Sequence, residues 1–408
     1  MKLNLKFLAN PYTAYTFIWT LGLLVYLLEW SDMFPAITTG LFVFISSSIV
    51  LTYIAGRWLG KNGYFSYREI TKFLNIKTLF TINALLWLIS FAYSGLPLYE
   101  ILTGVDYVYS DFGIPVLIVF ITCFNSFLSV YCFHCYLSNG KKMYLVYYVF
   151  CIGLFVLAYS RGLIMVTLIS TTFLWLSAKG STIKTKQVLI LAIGMIALLY
   201  GFGYAGNIRT AQSVARDNNA NGYDYDDTII LKIASASPAF TNNIIPNEFF
   251  WTYVYIASPI SNLQYNVSTP HVKPYTATDF ASLIINETWY ETVSKRIGEM
   301  YPQLMRKDPQ LVIGVLNVST AYTRSFNDFG YLGLIIMLMH ILIMPVIYIK
   351  LIGLKSQFLP VAVAIMCSIY FFSIFDNMFS FVGTGPQLLF PLFYSIRERI
   401  IKGNKSIL

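Results

Sequence analysis

The sequence predicts an all-α, polytopic membrane protein. Of its 408 residues 57% are apolar and only 12% are charged, whereas a soluble protein typically has about 25% charged residues. Apolar runs long enough to cross a bilayer recur along the chain, and lysine and arginine collect in every second short loop between them. These observations exclude a soluble domain with a single membrane anchor.

A membrane-spanning helix needs about 20 mainly apolar residues. If the N-terminus is cytoplasmic, the short inner loops carry the basic residues and the short outer loops carry mostly acids, as the positive-inside rule requires. We therefore expect both termini in the cytoplasm. Ten segments meet the length requirement, at approximately 12–28, 36–56, 78–95, 113–136, 143–160, 162–178, 187–206, 329–349, 358–375 and 381–396.

This pattern divides the chain into three parts. Residues 1–206 hold the first seven predicted helices, residues 207–328 form a large outer loop, and residues 329–408 hold the last three helices and a cytoplasmic tail. A loop of this length is expected to be functional and partly folded. Within it, the stretch EFFWTYVYIASPISNL (248–263) is apolar but too short to span, so we expect an interfacial or re-entrant helix.

Motifs for nucleotide or metal chemistry are weak. The stretch GRWLGKN (56–62) has neither the spacing nor the Ser/Thr of a phosphate-binding loop. CFHC (132–135) lacks a second pair of ligands, and all five cysteines lie in apolar runs, so no disulfide framework or metal site is expected. YDYDD (223–227) is interpreted as a solvated acidic loop, with divalent-cation binding as an alternative. We expect no cofactor.

Three arginines have a more informative position. Arg161, Arg209 and Arg324 each lie where a predicted span meets the outer face. Keeping a charge near hydrocarbon is costly and suggests a partner. Guanidinium groups at one depth suit a diphosphate, which they bind through bidentate, charge-assisted hydrogen bonds. The alternative is that they extend to lipid phosphates at the interface.

Candidates for a catalytic base lie in or next to the large loop. His271 is its only histidine, a residue type that can act as a base near neutral pH, although a lone histidine is more often a surface residue. Glu287 lies nearby in sequence, and Asp328 lies directly before the eighth predicted span. Asp328 has an alternative role, because an aspartate there can cap the free N–H groups of the helix.

The chain resembles the Wzy family of bacterial O-antigen (oligosaccharide repeat unit) polymerases, which are related to the O-antigen ligases. The resemblance rests on ten spans, a large late outer loop, Ser-Arg-Gly at 160–162, YVYIASPISNL in the loop and Asp-x-Gly-x-x-Gly at 328–333. It covers most of the chain as architecture and little of it as motifs.

The resemblance implies a GT-C-like helical fold in the bacterial inner membrane and glycosyl transfer at the periplasmic face. The growing glycan on undecaprenyl diphosphate would be moved onto the non-reducing end of a lipid-linked repeat unit, releasing undecaprenyl diphosphate. A chain-length regulator (Wzz-like) and a flippase (Wzx-like) are the implied partners, and nucleic acid is not. The residues that would suit a glycan groove are Trp251, Tyr253, Tyr275, Trp289 and Tyr290.

This chain departs in two features from the sequence patterns of the ligases and of some polymerases. In the ligases a histidine stands about ten residues before the first glycine of the re-entry motif, but here that position is Thr320. This favours a polymerase over a ligase. An Arg-x10-Gly pattern described in some polymerases is also missing from the loops, so the arginine assignments rest on position alone.

Three other functions remain as alternatives. An O-antigen ligase would transfer the finished glycan to the lipid A core. A flippase for lipid-linked oligosaccharides would need polar residues along a central path, and the spans contain almost no ionisable residues. A GT-C transferase that uses a polyprenyl-phosphate sugar usually has acids in the first outer loop, where this chain has Glu29 and Asp32.

Overall fold

The computed structural model describes residues 2–103, 112–217, 225–269 and 274–405. In these ranges the regular secondary structure is helical apart from the short strands β1 (Lys2–Leu3) and β2 (Ile183–Lys184), which pair antiparallel. The first eight helices are α1 (Pro11–Tyr26), α2 (Thr39–Lys61), α3 (Ile76–Ser94), α4 (Pro97–Leu102), α5 (Leu117–Asn139), α6 (Lys142–Leu157), α7 (Arg161–Lys179) and α8 (Thr185–Asp217). The remaining helices are α9 (Ile229–Ile233), α10 (Pro238–Thr241), α11 (Phe249–Ser268), α12 (Ala277–Thr288), α13 (Glu291–Met300), α14 (Thr323–Ile352), α15 (Leu359–Phe371) and α16 (Leu389–Lys405).

The apolar character predicted for the chain is found in its helices. Within the described residues six helices, namely α2, α3, α5, α7, α8 and α14, are long and apolar enough to cross a membrane, and two shorter helices at 142–157 and 359–374 are also apolar. The predicted segment 381–396 is only partly helical, because turns and a 3-10 helix occupy the residues before Leu389. Gly383, Gly385 and Pro386 account for this difference, since they disfavour a regular helix.

Helix α15 forms the centre of the bundle. Every residue from Leu359 to Tyr370 is buried, as expected for a helix that is apolar on all sides. It packs against α1, α5 and α7. The Ser170 hydroxyl of α7 donates a hydrogen bond to Ser368 Oγ of α15 at 2.8 Å, which satisfies polar groups inside the bundle.

Helix α11 covers most of the stretch 248–263, for which the sequence predicts an interfacial or re-entrant helix. It packs against α1, α8 and α14, and one side of it is buried over its whole length. Trp251 and Tyr253 are only 8% and 2% exposed, whereas Tyr255 is 42% exposed. Trp251 and Tyr253 therefore pack inside the protein, whereas Tyr255 lies at its surface, and the aromatic composition alone does not distinguish these two environments.

Residues 306–319, which we call the strap, have no regular secondary structure and lie across α11. The strap begins after the 3-10 helix Pro302–Leu304 and ends shortly before α14. Two buried amides of α11, Asn262 and Asn266, form hydrogen bonds with its backbone. These bonds replace those that a helix or sheet would supply, which buried backbone requires.

Helix α14 is broken near its start. Phe329 and Gly330 leave the helical conformation, and Gly330 has φ 58° and ψ −146°, which glycine adopts at little cost. Gly333 then lies against the segment before the break, since a Cβ there would be 1.8 Å from the backbone oxygen of Ser325. The break sets the direction of residues 323–328, including Arg324 and Asp328.

We predict that Gly333→Ala lowers the melting temperature of the purified protein. The added methyl overlaps the Ser325 oxygen, and such overpacking costs about 1–3 kcal/mol. The control is Gly153→Ala in α6, where an added Cβ meets nothing within 4 Å and alanine is the better helix former. Thermal unfolding in detergent measures both variants, and equal melting temperatures for the two would contradict the close packing at Gly333.

Candidate functional site

A cavity of about 450 Å³ lies between the strap, the first turn of α14 and the turn that follows α15. It is the larger of two cavities described below, and it has charged as well as apolar walls. Its lining residues are Asp308, Pro309, Leu311, Asn317, Val318, Ser319, Arg324, Phe375, Asp376, Met378 and Phe381.

Arg324 and Asp376 form an ion pair on the wall of this cavity. Arg324 Nη1 lies 2.5 Å from Asp376 Oδ1, and the side chains are 18% and 27% exposed. The backbone N–H of Asn377 donates a further hydrogen bond to Asp376 Oδ1 at 2.7 Å. The pair is mostly shielded from water, so its attraction is stronger than that of a surface pair.

Glu287 of α12 lies behind this pair and is linked to it through Asn377. The Asn377 side chain donates hydrogen bonds to Glu287 Oε2 at 2.9 Å and to the Glu287 backbone oxygen at 2.7 Å. Glu287 is 1% exposed, and this burial raises its pKa to about 7 although Arg306 and Arg324 favour the charged form. The carboxyl group can therefore change protonation state near neutral pH.

Arg306 connects the strap to this group. Its Nη2 lies 3.8 Å from Glu287 Oε1, and its Nη1 lies 3.3 Å from Glu291 Oε1. Nη2 also donates a hydrogen bond to Ser380 Oγ at 3.3 Å. Two guanidinium groups, those of Arg306 and Arg324, are thus gathered around the buried Glu287 carboxyl.

The next strap residue, Lys307, lies within ion-pair distance of a second pair of carboxylates. Its Nζ lies 3.4 Å from Asp279 Oδ1 and 3.7 Å from Asp328 Oδ1. Hydrogen bonds from the side chain and backbone of Thr276 hold the pKa of Asp279 below its ordinary value. Asp328 is 3% exposed and does not line the cavity, so its contact is with Lys307 rather than with a substrate-sized space.

The structure separates the arginines that the sequence grouped together. Arg324 lines the cavity, but Arg161 and Arg209 do not. Arg161 is exposed at the start of α7, with its guanidinium 4.9 Å from the ring centre of Tyr159. Arg209 is exposed on α8, 6.0 Å from the ring centre of Trp251. Both make cation–π contacts instead.

The aromatic residues predicted for a glycan groove also divide into groups. Tyr253 packs among buried rings, and Trp251 donates a hydrogen bond to Asn207 Oδ1 at 2.7 Å, so neither is available to a ligand. Tyr275 lies against Phe329 with ring centres 5.2 Å apart. His271 lies outside the described residues.

A second cavity, of about 270 Å³, contains the two remaining aromatic candidates. It is mainly apolar, and the turn after α15 contributes to both cavities, because Phe379 lines this one while Met378 and Phe381 line the charged one. Its lining residues are Thr288, Trp289, Tyr290, Val293, His340, Met344, Phe379 and Leu388.

Sequence reasoning did not assign Arg306, Lys307, Asp376 or Asn377 to the site. A usable signal was present for Asp376 and Asn377, since SIFDNMFS (373–380) places an acid and an amide inside an apolar stretch, which is costly without a role. Arg306 and Lys307 gave no such signal, because adjacent basic residues in a polar loop are common. Among the described residues no three His, Cys, Asp or Glu side chains lie close enough together to hold a metal ion.

Comparison of the chain with protein-family models, with curated proteins and with solved structures gives no match.

We predict that Glu287 makes the stability of the protein depend on pH. Its pKa is about 7 in the folded protein and 4.5 ordinarily, so the folded state holds the proton more tightly than the unfolded state. The free energy of unfolding therefore falls as pH rises from about 4.5 to about 7, by on the order of 3 kcal/mol, and then levels off. Arg306 and Arg324 lower the pKa of Glu287 and Asp376 raises it, while Glu291 pairs with Arg306.

Glu287→Gln should remove this part of the pH dependence, because the amide stays neutral and keeps an oxygen for Asn377. The measurement is the melting temperature in detergent between pH 4.5 and 8 for both proteins. A decline of the same size in wild type and variant would show that Glu287 is not the group responsible.

Proposed function

We propose that this protein is an O-antigen polymerase of the Wzy type, with about ten transmembrane helices, a GT-C-like arrangement and both termini in the bacterial cytoplasm. In this proposal the large loop and the charged cavity face the periplasm. The enzyme transfers the growing glycan from undecaprenyl diphosphate to the non-reducing end of a lipid-linked repeat unit.

The observation that carries the proposal is the charged cavity in an otherwise apolar helical protein. Arg324 and Asp376 line it, and Arg306 and Glu287 lie directly behind. A sugar linked to a diphosphate already holds the energy for glycosyl transfer, so the enzyme has to stabilise the leaving diphosphate and accept one proton. Preorganised cations beside a carboxylate in a site shielded from water meet both needs.

The ion pair of Arg324 suggests how the reaction starts. The donor diphosphate takes the place of Asp376 as the partner of Arg324, and the Asp376 carboxylate is released. It then accepts the proton of the acceptor hydroxyl while that oxygen bonds to the anomeric carbon of the donor. The bond from the anomeric carbon to the diphosphate oxygen breaks, and undecaprenyl diphosphate leaves with its negative charge held by Arg324.

The second cavity suits the other part of the same substrate. Trp289, Tyr290, Phe379 and Met344 give it apolar walls, and hydrocarbon is favourable there. Residues of the turn after α15 line this cavity and the charged one. In this proposal an amphiphile with a diphosphate head and an isoprenoid chain places its head in the charged cavity and part of its chain in the apolar one.

We predict that Arg324→Ala lowers polymerisation by about a hundredfold, the usual effect of removing a group that stabilises transition-state charge. The assay combines the purified protein with lipid-linked repeat units and separates the products by length. Arg296→Ala is the matched control, because Arg296 is exposed and, within the described part of the chain, pairs with Glu299 of its own helix and with no residue of the cavity. Melting temperatures show whether each variant is folded.

The same assay separates the alternatives. Wild-type activity that requires the lipid A core as acceptor would make the protein a ligase, and transport without product would make it a flippase. Loss of activity in Glu29→Gln and Asp32→Asn, with Arg324→Ala active, would favour a transferase that uses polyprenyl-phosphate sugars. If Arg161→Ala and Arg209→Ala lose activity while Arg324→Ala keeps it, the charged cavity is not the diphosphate site.

A further inference from the structure

The strap is fixed to α11 by two buried amide side chains. Asn262 is fully buried and its Nδ2 donates to the backbone oxygens of Leu316 at 2.8 Å and Val318 at 2.7 Å. Its Oδ1 accepts a hydrogen bond from the N–H of Val312 at 2.9 Å. One side chain thus binds the strap backbone through both its donor and its acceptor.

Asn266 lies one helical turn further along the same face of α11 and repeats this pattern. Its Nδ2 donates to the Gln310 backbone oxygen at 2.7 Å, and its Oδ1 accepts from the Gln310 N–H at 3.1 Å. The same Oδ1 accepts a hydrogen bond from Asn327 Nδ2 at 2.9 Å, which joins the strap to the start of α14. The strap is therefore held in register from residue 310 to residue 318.

The fixed part of the strap begins four residues after Arg306. Arg306 reaches Glu287, Glu291 and Ser380 from this position. If the strap were not fixed, its backbone would have to be ordered before Arg306 could make these contacts, and this ordering would cost additional conformational entropy. The position of Arg306 in the site thus depends on groups that never touch the cavity.

We propose that Asn262 and Asn266 are positioning residues, which hold the strap so that the Arg306 guanidinium lies against Glu287 in the charged site. The proposal rests on the proposed function only where it treats this site as the place of diphosphate binding. The placement of charge itself is independent of that function and can be measured without any substrate.

The residue type is informative, since only Asn or Gln offers both N–H donors and a carbonyl acceptor without a charge. Gln264 lies between the two on α11 and is also fully buried, but its hydrogen bonds go to Thr38 and Ser268. It provides a matched control, because it is a buried amide of the same helix that, among the described residues, forms its hydrogen bonds with Thr38 and Ser268 and not with the strap.

The test uses Glu287 as a reporter of where Arg306 lies. The Arg306 charge lowers the pKa of Glu287, so its removal raises the pH at which Glu287 loses its proton. This pH, which we call the midpoint because half of the folded molecules are then ionised, is the pH at which the fall in the melting-temperature difference between each protein and the same protein carrying Glu287→Gln levels off. The variants Asn262→Leu, Asn266→Leu, Arg306→Met and Gln264→Met keep side-chain size and add no titrating group.

We expect Asn262→Leu and Asn266→Leu to raise the midpoint by about one pH unit, as Arg306→Met does, because an opposite charge at this range typically lowers a carboxyl pKa by that amount or more. The double variant Asn262→Leu/Arg306→Met should show no further rise, and Gln264→Met should show none. Hydrogen exchange at residues 310–318 should become faster in both asparagine variants.

Three results would overturn the proposal. One is an unchanged midpoint in both asparagine variants while Arg306→Met raises it, and another is an additive rise in the double variant. The third is failure of both asparagine variants to fold, because the amides would then hold the bundle rather than the strap. If the wild-type protein shows no polymerisation activity, the proposed function is wrong, but the positioning role of Asn262 and Asn266 is unaffected.

Discussion

Two buried amides of α11, Asn262 and Asn266, keep a segment without regular structure in one conformation. Buried backbone must find hydrogen-bond partners, and here α11 supplies them through side chains rather than through a sheet. The strap then forms one wall of the charged cavity and carries Arg306 and Lys307 to their carboxylates. The positions of Arg306 and Lys307 beside their carboxylates follow from this one constraint.

The charges of the site are paired rather than free, which explains how an apolar protein tolerates them. Arg324 pairs with Asp376, Arg306 with Glu291 and the buried Glu287, and Lys307 with Asp279 and Asp328. Removing one member of a buried pair is costly because the other charge remains. In the proposed reaction an incoming diphosphate replaces the carboxylate partner of Arg324 without leaving that arginine uncompensated, so that ligand binding and release of Asp376 are coupled.

The sequence predicts the helices much better than the site. Hydrophobicity over the width of a bilayer is a local property, so segments such as 187–206 and 329–349 fall inside the observed helices α8 and α14. The contacts of the strap join residues 44 to 56 positions apart, and no local pattern indicates them. The same limit applies to Tyr253, because an aromatic residue has the same appearance in sequence whether it packs in a core or lines a groove. Arg324 was found because its position next to a span is visible locally, whereas its partner Asp376 lies 52 residues away.

The central claim is that the charged cavity binds a diphosphate through Arg324. An experimental structure of the protein with undecaprenyl diphosphate tests it most directly. The account predicts diphosphate density in the cavity within hydrogen-bond distance of the Arg324 guanidinium, with Asp376 no longer paired to it. Diphosphate density at Arg161 or Arg209, with Arg324 still bound to Asp376, would contradict the account.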